Sequence, residues 1–349
     1  MRALIVGLGS IGRRHARNWA ALQAGPLAIC RQRNLPQPEP LGVEASEYHD
    51  LDEALEAERP DVVLVTTPTS LHVPIARQAV EAGAHVLVEK PLGSSLDGVA
   101  ELLAAARLHQ TRLMVAYNLR FHPGLVRVKA LVDQHVIGRV LSARAEAGEY
   151  LPDWHPWEDY RGSYSARRDL GGGAVLTFSH ELDAVCWLLG APRQVTATTA
   201  HSSSLELDVE DLAEIVVAFE SGVLAAVHLD YLRRAPRRSI ELVGERGILR
   251  WDYQRNQVAL YTEDTRQWQI EEGDPTYARN QMYMDELRYF VEGVRAEASQ
   301  PDFDGRQGAA VLVLALAALR SAAHGRTIDL HAEDQVAREW LSSFISCQA

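Results

Sequence analysis

The sequence predicts an α/β chain with a doubly wound parallel sheet first and a mainly antiparallel sheet after it. Three observations carry this. Up to about residue 120, short wholly apolar runs alternate with helical stretches, the pattern of strands covered on both faces by crossover helices. From about 139 to 270 the strands lengthen and alternate in polarity, as in an antiparallel sheet with one covered face. A glycine hexapeptide follows the first strand. The expected division is 1–120 and 121–349, and 349 residues suffice for two cores.

In order, the first strands are ALIVG (3–7), LAIC (27–30), DVVLVTT (61–67), HVLVEK (85–90) and RLMVAY (112–117). Between them lie helical stretches such as HVPIARQAVEAG (72–83), with Gly83 as its C-cap. Ligands in such sheets bind at the carboxyl ends of the strands. The later strands are EIVVAF (214–219), VLAAVHLDYL (223–232), SIELVG (239–244) and GILRWDY (247–253), joined by turns such as ESG and GERG. Helical patterns cover 173–190, 282–298 and 308–325, the last apolar nearly all round and so expected to be buried. The tail from His331 is left open.

Composition narrows the function. The chain is 47% hydrophobic and 23% charged, with a formal net charge of -12, which argues against an extended phosphate-binding surface and a nucleic-acid partner. Cys30, Cys186 and Cys347 are far apart and form no metal or redox spacing, which suits a reducing cytoplasm. No run of about 18 uncharged apolar residues suggests a membrane span. No metal site is expected, since His155, Glu158 and His180 have no ligand spacing.

The first strand runs into GLGSIG, so Gly7, Gly9 and Gly12 fit G-x-G-x-x-G at a strand-to-helix turn. Gly7 allows the tight turn, Gly9 lets a pyrophosphate approach, and Gly12 lets helix and strand pack closely. The helix N-terminus then offers amide donors to phosphate. Dinucleotide binding is the reading, ahead of a purely structural glycine turn. The second strand ends ICRQRN, with Arg31 and Arg33 where an acid would accept from a ribose 2′-hydroxyl. A guanidinium can clamp a 2′-phosphate, so NADP is expected ahead of NAD. Solvated loop arginines, or Arg31 stacked on adenine, are the alternatives. At the fourth strand's carboxyl end, Lys90 can donate to a substrate oxygen, and Pro91 holds it extended. By itself it would read as a surface lysine.

The motifs GLGSIGRRH, TTPTSLH (66–72), EKP (89–91), YNLRFHP (117–123) and GGGAVLTFSHELD (171–183) occur in that order. Together the chain resembles the Gfo/Idh/MocA family of NAD(P)-dependent oxidoreductases from residue 1 to about 330. The resemblance implies a Rossmann domain followed by an α/β domain with a large, mainly antiparallel open sheet, often buried in oligomers. It makes Gly7, Gly9, Ser10, Ile11 and Gly12 the pyrophosphate loop and Thr67, Pro68 and His72 a loop along the cofactor. It makes Glu89 a cofactor-contacting acid and Lys90 the catalytic lysine, with a Lys-Pro bond that is commonly cis. Asn118, Arg120 and His122 match the segment leaving the first domain, with Asn118 expected near the cofactor and Arg120 near the substrate. His180 matches the catalytic histidine and Asp183 a substrate-binding acid. One departure is visible: many relatives carry an Asp one turn before the histidine, and here Leu176 and Thr177 stand there.

The helix bearing His180 can also be read alone. Val175, Phe178, Leu182, Val185 and Leu189 form one apolar stripe, and His180 and Asp183 fall off it as i, i+3 neighbours. A histidine there suits exchange of a hydroxyl proton; a satisfied histidine and a solvated acid are the alternative. In the loop 149–173, Trp154, His155, Trp157, Tyr160 and Tyr164 could stack on a sugar, and Arg161 or Arg167 could meet an anion. A packed surface loop is the competing reading. His15 reads as a packing or capping residue.

The expected activity is hydride transfer between nicotinamide and a carbon of a polyhydroxylated small molecule such as a sugar or cyclitol. Lys90 would polarise the oxygen and His180 exchange its proton. A dinucleotide-binding regulatory sensor of the same fold is the alternative, and an enzyme that never releases its cofactor also fits. A homodimer or homotetramer through the second sheet is expected. VLAAVHLDYL has packing residues at both parities: Val223, Ala225, Val227, Leu229 and Tyr231 on one side, Leu224, Ala226 and Leu232 on the other.

Overall fold

The computed structural model describes residues 1–31, 40–296, 304–332 and 335–344; Arg33 and Cys347 lie outside them. The chain forms two compact units, Met1–Asn118 with Arg279–Gly308, and Leu119–Ala278 with Ala309–Ala349. The first break falls beside the expected residue 120. The return of 279–308 to the first unit is not part of that expected division.

The first unit begins β1 (Ala3–Val6), α1 (Ser10–Ala21), β2 (Leu27–Cys30), β3 (Ser46–Tyr48) and α2 (Leu51–Glu58). It continues β4 (Val62–Val65), α3 (His72–Glu81), β5 (His85–Glu89), α4 (Val99–Leu108) and β6 (Leu113–Ala116). All pairings are parallel, in the order β3-β2-β1-β4-β5-β6. The order reverses between β1 and β4, and a crevice at their carboxyl ends is where such sheets bind ligands. The apolar runs are buried as expected, for β1 and β4 along their whole length. β3, sequence SEY, has no apolar run and is half exposed, so its sequence carries no strand signal. Gly83 takes a positive φ just beyond α3.

The second unit opens with α5 (Pro123–Asp133) and β7 (Val140–Gly148), then α6 (Ala174–Thr177), α7 (Ser179–Leu189), β8 (Pro192–Ala200) and β9 (Leu212–Phe219). β10 (Leu224–Asp230), β11 (Arg237–Gly244), β12 (Gly247–Asp252), β13 (Gln257–Thr262) and β14 (Trp268–Glu272) follow. Next, α8 (Asn280–Arg295) packs on α1 within the first unit, where the Arg14 guanidinium lies 4.4 Å from the Tyr283 ring centre. α9 (Gly305–His324), β15 (Ile328–Asp329) and α10 (Gln335–Leu341) complete the chain. By length and composition α9 could cross a membrane, but it is largely buried inside the fold, as its all-round apolar pattern predicts.

The nine strands run β14-β13-β12-β11-β7-β10-β9-β8-β15, antiparallel except for β7 beside β10. Helices α5, α6 and α7 contact one face of this sheet. That face is small where α7 meets it: Ala143, Ala145 and Ala147 on β7 and Ala225 on β10 are all buried. The other face grades from apolar to charged. One cross-strand row runs Ala218, Leu224, Ser142, Val243, Ile248, Tyr261, Trp268. A row four residues along each strand runs Glu214, His228, Glu146, Ser239, Asp252, Gln257, Glu272.

The single helix expected over 173–190 is two. Phe178, at φ −94° and ψ 30°, separates α6 from α7. Neither has the polar exposed face that the apolar stripe implied, because residues 170–186 are all buried. The α7 carboxylates of Glu181 and Asp183 are instead paired with Arg238 and Arg120.

Candidate active site

The glycine turn lies at the switch point. Thr66 Oγ1 donates to the carbonyls of Val6 (3.1 Å) and Gly7 (2.8 Å), tying β4 to the end of β1. A Cβ on Gly12 would stand 2.2 Å from Gly7 O, so only glycine lets α1 settle on the strand. Gly9 differs: it is exposed, and nothing lies within 4 Å of where its Cβ would be. It also caps α1 without a side-chain hydrogen bond, and no acid occupies the first turn. Ser10 is exposed and Ile11 partly so, and the first amides of α1 lie uncapped beside that open space with the positive end of the helix dipole behind them. Thr67 Oγ1, buried on the adjoining loop, has no hydrogen-bond partner among the described residues. An open cradle and an orphaned donor fit a dinucleotide pyrophosphate.

The loops after β4 and β5 are locked together by His72. Its Nδ1 lies 2.8 Å from Pro91 O and its Nε2 2.9 Å from Thr67 O. Burial lowers the His72 pKa, against the pull of these two carbonyls. His72 is thus a clamp between loops and has no exposed edge for a cofactor. The Lys90–Pro91 bond is cis. Glu89 is buried beside His15, whose Nε2 is 3.0 Å from Glu89 Oε1, and Glu89 Oε2 accepts from the Lys90 amide at 3.2 Å. Burial works to raise the Glu89 pKa, but His15, Lys90 and His72 together bring it below its ordinary value. His15 is therefore the partner that holds an acid next to Lys90. Lys90 itself is partly exposed at the carboxyl end of β5.

At the end of β2, Arg31 Nε lies 2.7 Å from Glu47 Oε1 on β3. The contact is an ion pair rather than an aligned hydrogen bond. His49 Nδ1 is 2.9 Å from Arg31 O. A carboxylate from the neighbouring strand thus stands near the end of β2. Nothing in the local sequence announces it.

In the second unit, His180 sits buried on α7. Arg120 Nε donates to Asp183 Oδ2 at 2.8 Å and Nη2 to Oδ1 at 2.5 Å, with Arg120 only 3% and Asp183 1% exposed. Both groups were expected near substrate; in the structure they pair with each other. Each is committed to the other, because either one alone would be a buried unpaired charge. One residue after His180, Glu181 is likewise paired with Arg238 at 2.7 Å. Thr177, in the turn before His180, accepts from Tyr231 Oη at 2.7 Å. Asn118 is buried at the end of the first unit.

His122 Nδ1 accepts from Gly124 N at 3.1 Å and caps α5. The ring is packed among Trp251, Tyr253 and Tyr277 at centroid distances of 5.1–5.3 Å. Burial, with Arg238 nearby, lowers its pKa to about 4.

The aromatic loop does not act as one platform. Trp154 turns inward, edge-on to Phe178 and Tyr231 at 5.6 Å each. Tyr160 Oη accepts from Glu206 N at 3.1 Å. Arg161 is exposed and paired with Asp159 and Glu206, so an anion there must compete with two carboxylates. Trp157 carries the exposed ring of the loop. Among the described residues no three His, Cys, Asp or Glu side chains gather as a metal site.

Residues 1–117 match the oxidoreductase family with an NAD-binding Rossmann fold, and residues 125–250 match the GFO/IDH/MocA C-terminal domain. The chain belongs to the GFO/IDH/MocA oxidoreductase family. It is 28% identical to myo-inositol 2-dehydrogenase of Thermotoga maritima, over 95% of this chain and 98% of that one. GenD2 from gentamicin A biosynthesis, solved with NAD, is 26% identical with a TM-score of 0.79, covering 95% of this chain and 97% of its own. A levoglucosan dehydrogenase solved with NADH and L-sorbose shares the fold at a TM-score of 0.82 and 21% identity, over 94% of this chain and 98% of its own. The parallel sheet and the large mixed sheet are those of this family.

Two predictions follow from the buried charges. Asp183→Ala should cost about 3–5 kcal/mol in urea unfolding, since it removes the carboxylate that answers the buried Arg120 charge; replacing both residues by leucine and methionine should recover most of it. A loss below about 1 kcal/mol would show the pair to be dispensable. His122 titrates below its unfolded value, so the folded state binds fewer protons between about 6.5 and about 4. Stability should therefore fall as pH drops through that window, by on the order of 3 kcal/mol. His122→Asn, which keeps a capping oxygen, should flatten that part of the pH–stability curve.

Proposed function

We propose that this family member transfers a hydride between a nicotinamide dinucleotide and a CH–OH carbon of a sugar, sugar derivative or cyclitol. Supporting this most directly is Lys90. It leaves the same end of the parallel sheet as the glycine turn, with its backbone anchored by the buried His15–Glu89 pair. Bound at the turn, the dinucleotide would supply the hydride acceptor or donor. The α1 amides and Thr67 Oγ1 would hold its pyrophosphate. Lys90 Nζ would donate to the substrate oxygen and stabilise alkoxide character as the C–H bond breaks. His180 would take or return the hydroxyl proton. The named substrates of the relatives, myo-inositol and levoglucosan, are polyols or anhydrosugars, and that chemistry is the class proposed here.

NADP, expected from Arg31 and the acid-free β2, needs a guanidinium that can turn to a 2′-phosphate. Arg31 is ion-paired with Glu47, so we propose NAD as the preferred cofactor. A second reading, a dinucleotide-binding sensor without turnover, draws on Thr177, which brings no carboxylate to the turn before His180. A screen of sugars and cyclitols for reduced-cofactor absorbance separates the two readings.

We also infer a homo-oligomer through the uncovered sheet face, where Leu224 is 54% and Val216 47% exposed along rows of neighbouring strands. A second copy would cover those rows, while the polar row through Glu214 and Glu146 would form a rim.

Lys90→Ala should fold, bind dinucleotide and lose kcat by orders of magnitude; near-normal turnover would remove Lys90 from the chemistry. For assembly, light scattering at micromolar concentration should give at least twice the 38.7 kDa chain mass, and a monodisperse monomer would refute the interface.

A further inference from the structure

We infer that Glu47 is the residue that discriminates between the two dinucleotides, acting from β3 in place of the acid that β2 lacks. The inference rests on the dinucleotide site proposed above and assigns one more residue to it. In the parallel register Glu47 is level with Ile29. Two residues further along β2, Arg31 returns to the same side of the sheet. The Glu47 carboxylate thereby meets Arg31 Nε at 2.7 Å, at the strand end that faces an adenosine ribose in this fold.

The pair gives each partner a distinct task. Glu47 is an acceptor-only group when ionised, and it suits a ribose hydroxyl donor. Toward a 2′-phosphate it acts in two unfavourable ways. It places a negative charge beside a dianion, and it occupies the guanidinium that would otherwise answer the phosphate. Arg31 has only 12% of its side chain exposed, against 39% for Glu47, so Arg31 is the packed member and Glu47 the one open to ligand. His49 belongs to the same cluster, with Nε2 3.9 Å from Glu47 Oε1 and Nδ1 against Arg31 O.

Equilibrium titration of the whole protein with NAD and with NADP, at pH 8 and without substrate, tests this directly. The unmodified protein should bind NAD more tightly. Glu47→Gln should tighten NADP relative to NAD by at least tenfold. Adding Arg31→Ala to that variant should erase the gain, because the Arg31 guanidinium is what the phosphate recruits. Thermal unfolding of Glu47→Gln should match the unmodified protein, as expected for an exposed side chain. A ratio unchanged within twofold in Glu47→Gln, with NAD still bound, would overturn the role of Glu47 and leave the dinucleotide site standing. Binding of neither dinucleotide by the unmodified protein would overturn the site itself.

Discussion

The close seating of α1 on the β1–β4 pair governs what the first unit can do. Gly12 approaches Gly7 O so nearly that no side chain fits, and Thr66 ties the two strand ends through paired hydrogen bonds. Drawn down in this way, the helix leaves its first amides uncovered at the one place where the strand order reverses. Gly9 borders open space, and the Thr67 hydroxyl has no hydrogen-bond partner among the described residues. Lys90 emerges two strands away at the same sheet end, its amide held by Glu89 and, through it, by α1's His15.

The second unit depends on buried charge in a different manner. α7 is enclosed on every side, yet it carries His180, Glu181 and Asp183 in its first turns. Arg120 and Arg238 make this enclosure tolerable by neutralising the two carboxylates. Such pairs add little net stability compared with apolar packing, but each allows only one seating of the helix, since any other leaves a charge unpaired. The small residues of β7 let α7 come close to the sheet. His180 is thereby held on a rigid element rather than on a loop.

Much of the fold was legible along the chain. The five apolar runs of the first unit, the helix over 72–81 and the four later strands all appear where the residues suggested them. Other elements were not. β3 is polar and short, and β7, β8, β13 and β14 were not singled out because their alternation is diluted by alanine, threonine and charged residues. The break at Phe178 interrupts a stripe that is continuous in sequence. In the site, the glycine turn, Lys90 and His180 could be read from local pattern and motif order. Arg120 and Asp183 could be found but not understood, since the sequence shows two charged residues and not that they meet as a buried ion pair.

By itself, then, the sequence determined what short stretches can become: wholly apolar runs that must be buried, a glycine turn that must admit close packing, a proline that must hold Lys90. Those outcomes depend on neighbours within a few residues, whose sterics and periodicity are written in order. Only the tertiary structure decided which charge meets which. Arg31 with Glu47, His15 with Glu89 and Arg120 with Asp183 join residues separated by 16, 74 and 63 positions. The separation costs chain entropy that no local pattern records, and the pairing is settled by which side chains the packed sheets bring within reach.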